Sequence, residues 1–184
     1  MKKLLGFSIF LVFVLIASLT AEAKVTLPAI FSDNMVLQQN TQVNVWGKAA
    51  PGEKVTVKAS WLDKAVTAKA AANGKWTVKL KTPKAITNQS VTVSGENEIT
   101  INNVLIGEVW LCTGQSNMEF PVSRHPDVKW NTGMLNEAEE LKDADYPEIR
   151  LFHVKHQLAH EGELDDCEGE WLAVSYTHLR AHET

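Results

Sequence analysis

Between residues 24 and 105 the chain alternates repeatedly between polar and apolar side chains, and this period of two limits its folding more than any other feature. A strand points successive side chains to opposite faces, so such a run buries one face and wets the other. Residues 42–46, 54–58, 75–80, 90–93 and 98–101 alternate in this way, with Pro51-Gly52, Asn73-Gly74 and Ser94-Gly95 between them. Turn residues at that spacing predict short antiparallel strands. Asn-Gly further predicts a hairpin, because both residues tolerate the positive φ of a type I′ turn. The expectation for residues 24–105 is a β-sandwich, long enough to enclose a modest core of its own.

After residue 105 the pattern changes. Residues 108–112 read as a short buried strand, residues from about 134 to 143 as a helix, and 149–154 as a second strand. Strand, helix, strand predicts a βαβ unit with parallel pairing. The charges change at the same place: residues 24–105 carry 10 basic and 5 acidic side chains, residues 106–173 carry 5 basic and 15 acidic. That swing supports a domain boundary near residues 103–107. Residues 106–173 are therefore expected to begin an α/β domain with parallel pairing.

Residues 1–23 read as an address. Lys2 and Lys3 precede an apolar stretch over residues 4–19, and Ala21-Glu22-Ala23 supplies the small residues of a cleavage site, so a signal peptide cut after Ala23 is predicted. The stretch falls short of the roughly 20 apolar residues that span a bilayer. The expectation is an exported protein, periplasmic or extracellular, with no stable membrane anchor. Its 45% hydrophobic and 22% charged residues describe a globular chain, and a net charge of −4 gives no sequence-wide reason to bind nucleic acid. Cys112 and Cys167 allow one disulfide in an oxidising compartment but lack the Cys-x-x-Cys spacing of a zinc or thioredoxin-like site. No metal or cofactor is expected.

The stretch that carries chemistry is residues 107–121, GEVWLCTGQSNMEFP. A buried strand would deliver the chain to Gly114, free to take a backbone conformation closed to other residues, and Ser116 would follow at the strand's carboxyl end, where α/β enzymes place ligands. A serine there presents Oγ as nucleophile while its own N–H faces the developing oxyanion. The competing role is a helix cap, since Ser116-Asn117-Met118-Glu119 fits Ser-x-x-Glu. Trp46, Trp61 and Trp76 fit a sandwich core better than an aromatic sugar platform, and Cys112 is expected to pack in the buried strand. Arg124 has the planar fork for a sugar carboxylate but needs no ligand to explain it. His125, beside Pro126, reads as a loop residue. His153 and His156, three apart in an extended segment, would face opposite ways and make no metal pair.

GEVWLCTGQSNMEFP resembles the signature of sialate O-acetylesterase-like proteins, members of the SGNH hydrolase superfamily. The upstream runs LPAIFSDNMVLQQ, VWGKAAPGEKVTV and NGKWTVKL are similar to their N-terminal β domain, and NEAEELKDADYPEIRLFHV to the helix and strand after the nucleophile. The resemblance implies an SGNH hydrolase domain, hydrolysis of O-acetyl esters on glycans or sialic acid, Ser116 as nucleophile and oxyanion donor, and no cofactor. It also implies a histidine in an Asp-x-x-His pattern, and here the chain departs from the family. None of His125, His153, His156, His160, His178 or His182 has an aspartate three places before it. Residues 174–184, VSYTHLRAHET, leave the family pattern and read as a non-native, artefactual tail. The chain is thus expected to be a catalytically incomplete fragment of a carbohydrate esterase. Two alternatives stand beside it: a non-catalytic glycan-binding module with a vestigial hydrolase segment, or an acetylxylan esterase of the same superfamily.

Overall fold

A computed structural model describes residues 24–115, 118, 123, 133–155, 157, 158 and 162–175. The predicted leader over residues 1–23 and residues 176–184 lie outside them. The described residues are mostly strands: β1 (Val36–Gln38), β2 (Gln42–Lys48), β3 (Lys54–Ala59), β4 (Val66–Lys69), β5 (Lys75–Lys81), β6 (Ile86–Ser94), β7 (Glu98–Gly107), β8 (Asp145–Val154) and β9 (Gly169–Ser175), with one short helix, α1 (Glu137–Asp143).

Each alternating run of the sequence lies inside a strand. Burial follows the side-chain period most plainly in β5, where Trp76, Val78 and Leu80 are buried and the lysines and threonine between them are exposed. Strands β1-β7-β6-β3-β4 form a mixed five-stranded sheet, and β2 and β5 form a separate antiparallel ribbon. Within the large sheet β1 runs parallel to β7, with Val36 beside Leu105, while the other pairs are antiparallel. Val45, Trp76, Val78 and Leu80 of the ribbon share one buried cluster with Leu37, Val55, Val57, Val91, Val93, Ile101 and Val104 of the sheet.

The turns divide. Ser94-Gly95 closes the β6–β7 hairpin, as expected, with the Gly95 N–H donating to the Asn97 carbonyl. Asn73-Gly74 does not make the predicted hairpin. It joins β4 to β5, which belong to different sheets, and of the two residues only Gly74 takes positive φ, at 77°. Asn73 instead uses Oδ1 to accept the Lys75 N–H at 3.1 Å. A side chain that satisfies the backbone locally removes the need for the type I′ geometry.

Beyond Gly107 the described residues differ from the expected βαβ unit. Residues 108–114 hold no regular secondary structure and are exposed, Trp110 at 83% and Leu111 at 91%. A parallel strand needs both faces covered, and nothing described lies over these side chains. Cys112, expected in a buried strand, is an exposed free thiol; Cys167 is half-buried and also free. The helix forms three residues later than predicted. Its first turn carries Glu137, Glu139 and Glu140 and its last Lys142, which suits the helix dipole. Strand β8 begins at Asp145, four residues before the predicted start, and pairs antiparallel with β9. Val174 and Ser175, assigned above to a non-native tail, pair with Tyr146 and Asp145 in that ribbon.

Candidate functional site

The turn before β1 is built to hold the middle of β7. Asn34 takes φ 68° and donates its N–H to the Asn102 carbonyl, and the Asp33 carboxylate accepts the Asn102 N–H at 2.7 Å. Asn103, at φ 52°, donates its side-chain amide to Asn34 Oδ1. Asparagine is among the few side chains that enter this region at low cost. The run LPAIFSDNMVLQQ is therefore a clamp: Met35 anchors it, fully buried, and β1 then lies along β7 to Gln38.

That clamp meets the chemistry-bearing stretch at Glu108. The Gln38 side chain donates to one Glu108 oxygen at 3.1 Å and Gln39 to the other at 2.6 Å, while Gln38 Oε1 accepts the Val109 N–H. Hydrogen bonds from Gln39, then Gln38, hold the Glu108 carboxyl below the ordinary carboxylate value. Sequence reading treated Glu108 only as the start of a strand. Gln38 and Gln39 stand about 70 residues from Glu108 in the chain, so no local signal in the sequence joins them to it. They fix Glu108 and Val109 of GEVWLCTGQSNMEFP where the sheet ends, and the chain then runs exposed through Thr113 to Gln115.

Ser116 itself lies outside the described residues, as do Asn117, Glu119, Arg124, His125, His156 and His160. Its described neighbours bear on the local geometry. Gly114 does not use a positive φ, contrary to expectation; a Cβ there would stand 3.0 Å from Met118 Cγ. The Met118 N–H donates to the Gln115 carbonyl at 2.8 Å. His153 sits exposed in β8 opposite Glu170 of β9. Among the described residues no group of three or more His, Cys, Asp or Glu is placed to hold a metal ion, and no helix is long and apolar enough to cross a membrane.

The three tryptophans part company. Trp76 is 3% exposed in the core; Trp61 packs against the core and donates Nε1 to the Lys81 carbonyl at 2.9 Å. Trp46 stays 41% exposed, its ring edge-on to Phe31 at 4.6 Å between centroids. A cavity of about 400 Å³ opens beside it, walled by Ile30, Val154, Leu164 and Asp165. The 164–168 loop is held there by Asp165, which reaches Lys75 at 2.8 Å and Lys48 at 3.3 Å, and by Asp166, which accepts the Ala29 N–H. Opposite charges on residues 24–105 and 106–173 thus meet at one contact.

No protein-family model matches the chain. A crystal structure of a carbohydrate acetylesterase from Xanthomonas citri superposes with a TM-score of 0.73 at 29% identity, over 84% of this chain and 34% of that one. In fold and sequence together, the chain is similar to a carbohydrate acetylesterase. Curated relatives narrow the likeness: sialate O-acetylesterase of Mus musculus is 31% identical over 150 residues, 75% of this chain and 26% of that protein. That of Rattus norvegicus is 30% identical over 159 residues, 80% of this chain and 28% of the relative. The chain is sialate O-acetylesterase-like over that span, as the motifs implied. It covers about a quarter of the length of those relatives.

Proposed function

We propose that this chain is part of an exported carbohydrate O-acetylesterase that uses Ser116 as its nucleophile. The observation that carries the reading is the joint likeness, in sequence and fold, to a carbohydrate acetylesterase and to sialate O-acetylesterases. In this reading residues 24–105 form a β-sandwich domain and the SGNH-type hydrolase domain begins at residue 106, with Glu108 locking its entry to the sheet. Export follows cleavage after Ala23, which N-terminal sequencing of the mature protein reads directly.

The chemistry is acyl transfer. Ser116 Oγ attacks the acetyl carbonyl carbon, its proton passes to a general base, and that base returns the proton to the departing sugar oxygen. Water then attacks the acetyl-serine and releases acetate. No histidine of this chain stands in an Asp-x-x-His pattern, so none is assigned as the base. The 184-residue polypeptide alone is accordingly proposed to lack useful esterase activity.

The test uses the longer protein encoded by the complete gene, with p-nitrophenyl acetate and an O-acetylated sugar as substrates. Ser116→Ala is expected to lower kcat by at least about 10³-fold with the fold retained, as for the loss of a serine nucleophile. Full activity in the alanine variant would overturn the assignment.

A further inference from the structure

The ribbon of β2 and β5 turns one face to the core and the other to solvent. On the outward face Gln42 stands opposite Lys81, Asn44 opposite Lys79, Trp46 opposite Thr77, and Lys48 opposite Lys75. All eight are exposed. Neither strand contains an acidic residue. Four lysines on one side of a two-stranded ribbon form a concentrated positive field, and only one end of it is neutralised: Asp165 takes Lys48 and Lys75. Lys79 and Lys81 make no ion pair with a described residue.

Trp46 gives this face more than charge. A solvated strand position is ordinarily polar, yet here an indole keeps 41% of its surface in water and lines the cavity with Ile30 and Leu164, where Lys155, Asp165 and Asp166 supply charges of both signs. Aromatic floors with a few convergent polar groups are the usual composition of small-ligand sites. An indole offers a flat apolar surface of the kind the C–H face of a pyranose covers. The next row toward Lys81 holds Asn44 and Lys79, about 7 Å along the strands. That step suits a carboxylated sugar chain with one ring on Trp46 and its acidic groups at Lys79 and Lys81.

We infer that the outward face of the β2–β5 ribbon is a binding surface for acidic polysaccharide, built from residues other than those assigned to the ester chemistry. Trp46 stacks on a sugar ring, Lys79 and Lys81 pair with carboxylates, and the Asn44 and Gln42 amides meet hydroxyls.

The experiment is calorimetric titration of the 184-residue protein with an oligogalacturonate hexamer, with neutral xylohexaose as the control, at low and at physiological salt. Oligogalacturonate is expected to bind, xylohexaose at least about tenfold more weakly, and salt to loosen the complex. Lys79→Gln and Lys81→Gln should each raise Kd about threefold or more, and Trp46→Ala about tenfold. Trp46→Phe, which keeps an aromatic ring against Phe31, should recover part of that loss. Asp165→Asn releases Lys48 and Lys75, so it should tighten binding, a gain no merely structural role for Asp165 predicts. Equal affinity for the neutral sugar, or indifference to both lysine changes, would overturn the inference. So would binding of inorganic polyphosphate that equals the sugar's and ignores Trp46→Ala, since that is charge attraction without a sugar site.

Discussion

Gly47 shows how narrow the tolerance is at single positions. It lies in β2 where Lys48 bridges to Thr26, and a Cβ there would run into the Thr26 carbonyl oxygen and stand 2.9 Å from the buried Trp76 ring. Neither neighbour can yield cheaply, one being backbone and the other core. Gly47→Ala is expected to destabilise the protein by about 1–3 kcal/mol, the usual cost of overpacking, read as a lower urea midpoint at unchanged slope. An unchanged midpoint would mean that Thr26 gives way freely. At this scale the sequence was informative only where a side chain has one plausible job. Alternation marked Trp76 as inward, but the meeting of Gln38 and Gln39 with Glu108 joins residues about 70 apart, which no local pattern records.

Among the elements, long alternating strands were legible and short ones were not. β1 and β4 have three and four residues, too few for a period to register, and β1 is held by its parallel neighbour rather than by its own pattern. The strand expected over residues 108–112 failed for a different reason: apolar content predicts burial only when something exists to cover it, and among the described residues nothing covers Trp110 and Leu111. Ser116 is marked by motif resemblance, and the nearby hydrogen bond from the Met118 N–H to the Gln115 carbonyl is a local turn that the motif alone does not specify. The loop over residues 164–168 yields a pH prediction. Hydrogen bonds from Lys75 and then Lys48 hold the Asp165 carboxyl below its ordinary value of 3.8. A depressed carboxyl contributes stability that is present above the unfolded value and is lost as pH falls through the folded one. The Asp165 carboxyl carbon should therefore titrate by NMR below its ordinary value, and Lys75→Gln should move that midpoint upward. A midpoint that stays put in the variant would show that the lysine does not hold it.

Over the whole molecule, the buried cluster lies between Val25 and Val104, and Trp171 packs against it only partly buried. A polypeptide of residues 24–107 is therefore expected to fold alone, with a single cooperative urea transition and the strand content of the parent by circular dichroism. A featureless, gradual transition would defeat the division of the chain near residue 105. The parallel contact of β1 with β7 has a consequence for how such a polypeptide comes into being. Val36 finds its neighbour only at Leu105. During translation the first strand must wait, unaccompanied, until the ribosome has delivered the seventh, so this part of the nascent molecule stays open and threadable until about seventy further residues have emerged.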